Sequence, residues 1–258
     1  MIRGIYTAAA AMAAELAKQD VLANNLANLN TTGFKEDMAI FKARSDQTIY
    51  RFDASGGARS GPVSVKKMGA LSTGVYLDEI ATRMDEGQLR PTGEPLDLAL
   101  SSSGFFVVRD GSGQEFLTRG GSFQLDSKGN VVDDDGRTLM TTKGPLHATS
   151  ASGLHIDKSG NVSQDGNVIG TLRRVEVNNV ATDIQKLGGS IWGIKNPKAV
   201  KPTTKPDILQ GYLEASNVNP MREIVEMIDA QRTYEASQKM VTAQDETLSK
   251  AVNDIGRV

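Results

Sequence analysis

Along the first 26 residues a mostly apolar side chain recurs at alternating intervals of three and four: Ile2, Ile5, Ala9, Met12, Leu16, Gln19, Ala23 and Leu26, of which only Gln19 is polar. That spacing puts one stripe on one face of a helix, and no strand can reproduce it. Asn28, Asn30 and Gly33 then supply terminators that tolerate turn or left-handed geometry, so the spacing predicts a helix over 3–28. The far end repeats the device. Met227, Tyr234, Val241, Leu248 and Ile255 recur every seven residues, and Ile224, Ile228 and Val252 widen the stripe. Asn217 and Asn219 precede Pro220, whose missing N–H suits a first helical turn, and Glu223 and Glu226 sit near the positive end of the dipole. The expected helix spans 220–255.

Two single-seam helices at opposite ends of a chain make a hairpin, and a hairpin closes no core. A buried Leu, Ile or Met contributes about 1.5–3 kcal/mol, against about 1–2 kcal/mol to order each residue's backbone. The seams are therefore expected to pack between chains through heterologous contacts, with the ends partly disordered in an isolated monomer. Packing inside one chain is the other reading. Arg3 followed by Ile5 to Ala14 imitates a signal peptide, but Glu15 interrupts it and the helical periodicity runs on, so a retained helix is expected. The run Ala8 to Ala14 is far short of the roughly 20 residues of a membrane span.

The middle of the chain has a different texture. Phe105-Phe106-Val107-Val108, Ser122 to Leu125 and Leu172 to Val177 have strand length and composition, separated by Asp110-Gly111, Lys128-Gly129-Asn130, Asp135-Gly136, Ser159-Gly160-Asn161 and Asp165-Gly166. An antiparallel all-β domain over 75–210 is expected, within an α+β fold whose terminal helices, 1–35 and 211–258, pack as a coiled-coil-like layer. Asp126-Ser-Lys-Gly-Asn-Val131 is echoed by Asp157-Lys-Ser-Gly-Asn-Val162. The stretch 36–74, with Ala54 to Pro62 rich in Gly and Ser, reads as an extended linker ordered on assembly. Lys195 to Asp207, with Pro197, Pro202 and Pro206, reads as a solvated loop.

Composition closes off most chemistry. With 29 Lys plus Arg against 31 Asp plus Glu, the net charge of −2 gives no basic surface for nucleic acid. Cysteine is absent and only His147 and His155 are present, which leaves little for thiolate, multi-histidine metal or relay chemistry. No phosphate loop, H-E-x-x-H or G-x-S-x-G motif occurs. Asp133-Asp134-Asp135-Gly136 lacks the alternating ligands of a calcium loop and reads as an acidic hairpin tip, a weak source of hydrolytic carboxylates. The two histidines read as surface groups. The lone Trp192 reads as a core anchor, with sugar stacking in a secreted adhesin or carbohydrate-binding module as the alternative. No catalytic residue, cofactor or metal is expected.

Asn24-Asn25-Leu26-Ala27-Asn28-Leu29-Asn30-Thr31-Thr32-Gly33-Phe34-Lys35 resembles the N-terminal signature of bacterial flagellar rod and hook proteins. Gly211 to Asn219, with Met227-Ile228, Gln231-Arg232, Tyr234-Glu235 and Lys239, resembles the C-terminal signature of the same family. Gly87-Gln-Leu, Leu96 to Leu100, Gly104-Phe-Phe and Leu117-Thr-Arg-Gly-Gly-Ser-Phe123 are similar to the rod proteins in particular. Length and Ile5-Tyr6-Thr7-Ala8 look closer to the proximal-rod FlgF type, while Ser101-Ser102-Ser103 departs from the expected approach to Gly104, so the distal-rod FlgG type stays open.

The resemblance implies a tubular axial subunit of the basal body that polymerises, transmits torque and performs no catalysis. It implies terminal helices lining the inner layer, export through the flagellar type III apparatus without a cleaved signal, and copies of itself and neighbouring rod proteins as partners, with no membrane insertion. The residues expected at subunit interfaces are Ile5, Met12, Leu16, Asn24, Asn25, Leu26, Asn28, Gly33, Phe34, Asn217, Asn219, Ile224, Met227, Ile228, Arg232, Tyr234, Val241 and Leu248.

Overall fold

The structure is a computed structural model that describes residues 2–53, 64–203, 205 and 207–255. A helix, Ile2–Ala27, opens the chain, antiparallel strand pairs fill its middle, and a helix, Pro220–Ile255, closes it. Both long helices lie where the heptad spacing puts them, and Pro220 opens the second. The chain divides into two compact units: Met1–Ala23, Met38–Ala81 and Met221–Val258 form one, and Asn24–Asp37 with Thr82–Pro220 form the other.

In the first unit the helices run antiparallel, because Gly4 lies against Gln244 while Lys18 Nζ lies 3.7 Å from Glu226 Oε2. The buried positions are Ala8, Ala14, Val21 and Leu22 on one helix and Glu223, Ala230 and Ser237 on the other. The latter three recur every seven residues, in step with the half-buried Met227, Tyr234, Val241 and Leu248. On the N-terminal helix the stripe read from sequence is not the buried one: Ala9, Leu16 and Ala23 are exposed. Ala8, Ala14, Val21 and Leu22, which lie one or two positions off that stripe, are buried instead. The stretch 36–74 is not a plain linker. Asp37–Ala43 pairs with Val75–Thr82, and Gln47–Asp53 pairs antiparallel with Ser64–Leu71. The β-forming residues Thr48, Ile49, Tyr50 and Phe52 account for the second pair. The Gly- and Ser-rich run from Ala54 to Pro62 lies outside the described residues.

The second unit is built on a ten-stranded sheet that runs Ile184–Gly188, Ile191–Ile194, Glu115–Thr118, Phe105–Arg109, Thr138–Thr141, Val131–Val132 and Gln124–Leu125, with three further strands attached. Phe105–Arg109 explains its own unbroken apolar sequence. Phe106 and Val108 enter one core cluster with Leu98, Leu139 and Val162, while Phe105 and Val107 enter another with Leu117, Met140 and Trp192 on the opposite face. A strand covered on both faces has no solvent side to mark with polar residues. Trp192 is 2% exposed and meets Phe105 edge-on at 5.9 Å between ring centroids, so it is a core anchor.

The unit reaches beyond the span read from sequence. Tyr212–Glu214 pairs with Leu89–Pro91 and Ile208–Gln210 with Leu98–Leu100, and 24–37 joins it from the other end of the chain. The Lys195–Asp207 stretch is more structured than a loop: Pro197–Ala199 forms a 3-10 turn, Val200–Pro202 pairs with Arg174–Val177, and Asp207 is buried in an ion pair with Arg174. Its four lysines are exposed, as expected.

The echoed motif is one turn used repeatedly. Asp126 Oδ1 accepts from the N–H groups of Lys128 and Asn130, and Asp157 Oδ1 accepts from that of Asn161. Gly129 and Gly160 follow with φ of 81° and 84°, a region that costs glycine nothing. Asp110 and Asp133 cap their turns alike, each accepting from the N–H groups two and four residues on. The Asn130 and Asn161 side chains hold Asp126 and Asp157 below the usual carboxylate range, with the turn N–H groups adding to the effect.

Candidate functional site

The N-terminal signature folds into the second unit and meets the C-terminal one there. Gly33 has φ of 67°, and a Cβ on it would stand 2.3 Å from the Arg119 carbonyl group, so only glycine fits. Its N–H donates to the Glu214 carbonyl oxygen at 2.8 Å. Phe34 follows, fully buried, with Lys186 Nζ 3.7 Å from its ring centroid. Lys35 then reaches inward: Nζ donates to Glu214 Oε1 at 2.6 Å and to the Asp85 carbonyl at 2.7 Å. Arg119, from the Leu117-Thr-Arg-Gly-Gly stretch, brings Nε within 3.0 Å of Glu214 Oε2 and donates through Nη1 to the carbonyls of Ser102 and Gly104. The Gly87 N–H also donates to Glu214 Oε1. One buried carboxylate thus faces two buried cations, and the three motifs share one knot of charge.

Burial pushes the Lys35 ammonium below its ordinary value, with Glu214 pulling the other way, and burial lowers Lys186 against the pull of Asp37. Lys186 Nζ donates to the Lys35 carbonyl and to Asp37 Oδ2. A set of buried charges paired across distant segments holds those segments in one arrangement.

The residues expected at subunit interfaces divide three ways. Asn25, Gly33 and Phe34 are buried in their own chain. The Asn25 amide donates to the Asp37 carbonyl at 2.8 Å and accepts the Asp37 N–H at 2.9 Å, so the contact assigned to a neighbour is made internally. A side-chain amide matches a peptide group on both sides, and the chain folding back at 37 presents one. Ile5, Met12, Leu26, Asn28, Asn217, Met227, Tyr234, Val241 and Leu248 are half-buried. Leu16, Asn24, Asn219, Ile224, Ile228 and Arg232 are exposed. Sequence reasoning did not select Lys35, Arg119, Lys186 or Glu214 as site residues. Charged residues default to the surface, and the Lys35–Glu214 partners stand 179 positions apart.

A groove of about 390 Å³ in the second unit is lined by Asn30, Thr31, Ser122, Asp134 and Ser190 among others, and no histidine, lysine or arginine lines it. The three aspartates of the hairpin tip are tied locally: Arg137 pairs with Asp133 and Asp135, and Gln124 donates to Asp134. His147 and His155 are exposed. Among the described residues no cluster of His, Asp or Glu could hold a metal, and no helix is long and apolar enough to cross a membrane.

A sheet unit that takes in 24–37 as well as 82–220, in a chain that opens and ends on long helices, defines a helix-flanked structural subunit. Three family models match: "Flagella basal body rod protein" over 5–35, "Flagellar hook protein FlgE/F/G D1 domain" over 99–170 and "Flagellar basal body rod FlgEFG protein C-terminal" over 209–254. The chain is 32% identical to flagellar basal-body rod protein FlgG of Bacillus subtilis, covering 98% of this chain and 99% of that one. It is 31% identical to flagellar basal-body rod protein FlgF of Caulobacter vibrioides over 93% and 92%. It is also 28% identical to flagellar hook-basal body complex protein FlhO of Bacillus subtilis over the full length of both. The chain belongs to the flagellar basal-body rod protein family.

Proposed function

We propose that this protein is a structural, non-catalytic subunit of the flagellar basal-body rod, polymerising with copies of itself and neighbouring rod proteins into a tubular shaft that carries torque. In this reading the terminal helices pack against those of adjacent subunits in a coiled-coil-like inner layer, and the chain reaches the basal body through the flagellar export apparatus without losing its N-terminal helix. Family membership supports the setting. The observation that carries the assembly is the apolar surface the helices leave uncovered. Where they bury side chains these are Ala8, Ala14, Val21, Leu22, Glu223, Ala230 and Ser237, while Leu16, Ile224, Val225, Ile228 and Val252 are exposed. A hairpin made to stand alone would turn more of those large apolar residues inward, and apolar residues grouped on the outside mark a surface to be covered. The carbohydrate-binding alternative loses its one candidate group, because buried Trp192 has no face free to stack on a sugar.

The test is Leu16→Asp and Ile228→Asp in the full chain, scored by sedimentation for assembly, by swimming for function and by near-UV circular dichroism for the fold. Loss of assembly and motility with the sheet signal intact is the expected result. Wild-type assembly in both variants would overturn the proposal.

A further inference from the structure

Within the first unit each long helix carries a large apolar side chain on an exposed face, followed one turn later by a charge. On Ile2–Ala27 these are Leu16 and Asp20, on Pro220–Ile255 they are Ile228 and Arg232, and all four are exposed. Residues four apart stand on one face of a helix. Here that face is turned away from the buried Ala14 and Val21 on one helix and from the buried Ala230 and Ser237 on the other. Nearby charges are engaged inside the chain: Lys18 Nζ lies 3.7 Å from Glu226 Oε2, and Gln231 donates to Glu235. Among the described residues the Asp20 carboxylate and the Arg232 guanidinium take part in no ion pair or hydrogen bond.

We propose that the exposed face of the first helix docks on the exposed face of the last helix of a second copy of this chain, with Leu16 against Ile228 and Asp20 against Arg232. The pairing rests on the rod reading and gives it a direction. The apolar side chains supply the burial, to which Ile224 and Val225 add on the receiving face. The opposite charges select direction and register. Parallel helices bring both pairs level, whereas antiparallel ones would set Asp20 against Ile228 and Arg232 against Leu16. Each copy carries both faces, so a copy docked through one still offers the other to the next, and assembly runs on in a row.

The test is a charge exchange in the full-length protein, scored by sedimentation, with circular dichroism for the fold. Both positions are exposed, so helix content should be unchanged. Asp20→Arg sets two cations against each other and Arg232→Asp two anions, and each variant alone should need about tenfold more protein to assemble. The double variant Asp20→Arg/Arg232→Asp should assemble like wild type. An equimolar mixture of the two single variants should do the same, since in alternation every contact again joins opposite charges. Recovery by the double variant but not by the mixture would put the pair inside one chain and overturn the proposal. Wild-type assembly of both single variants, or a defect that neither the double variant nor the mixture repairs, would overturn it too. If Leu16→Asp and Ile228→Asp still block assembly in those cases, the rod reading stands and only this pairing falls. If they do not, both fall.

Discussion

The helical pair and the sheet unit solve the burial problem in opposite ways. The sheet unit places Phe105, Phe106, Val107 and Val108 so that both faces of one strand are covered, and it buries Lys35 and Arg119 against the Glu214 carboxylate. The helical pair buries Ala8, Ala14, Val21, Leu22, Ala230 and Ser237 and leaves Leu16, Ile224 and Ile228 exposed. One region is finished within its chain, and the other leaves large apolar side chains on its surface. Mutations should therefore act on stability in the first and on association in the second.

The largest effect on the isolated protein is expected from Glu214→Gln, which strips the partner from two buried cations and should cost about 3–5 kcal/mol in urea unfolding of the sheet unit. Adding Lys35→Met should recover part of that loss. Leu139→Ala, at a fully buried position where Val108 pairs across the sheet, should cost about 2–5 kcal/mol by the same measurement. An effect on the helices equal to that on the sheet would erase the contrast. Asn25→Ala leaves the Asp37 peptide group without its two bonds and should cost about 1–3 kcal/mol. Asn24→Ala, at an exposed helical position, should be neutral to slightly stabilising, and the pair of variants separates a placed amide from a neighbouring one.

Acid sharpens the same contrast more gently. Asp110, Asp126 and Asp157 have folded values below the ordinary 3.8, so their contribution is present above that value and is lost as pH falls through the depressed one. Amide spectra recorded from pH 5 downward should show these turns loosening before the helices respond. Smallest of all on monomer stability is Leu16→Asp, expected within about 0.5 kcal/mol of wild type because the position is already exposed. Its effect belongs to assembly, and a large loss of monomer stability would show that the N-terminal helix is packed by its sequence-read seam after all.

The extents of both long helices and the positions of the capped turns were legible in the chain, because each is a local matter. A heptad needs only neighbours three and four residues away, and an Asp with a Gly three residues on closes its turn with its own backbone. The signatures were also legible as patterns, but not what they do. Asn25 reads as an oddity inside a helix, and only the return of the chain at Asp37 gives its amide a partner. Which face of the N-terminal helix turns inward, with Ala8, Ala14, Val21 and Leu22 buried, was decided by what packs against it, a quantity that hydrophobic spacing does not register. The burial of Lys35 could not be read at all. A charged side chain goes inside only when a carboxylate and a carbonyl arrive from distant parts of the chain, and Glu214, Asp85 and Arg119 meet it only when the segments 24–37 and 208–220 come together in the sheet unit.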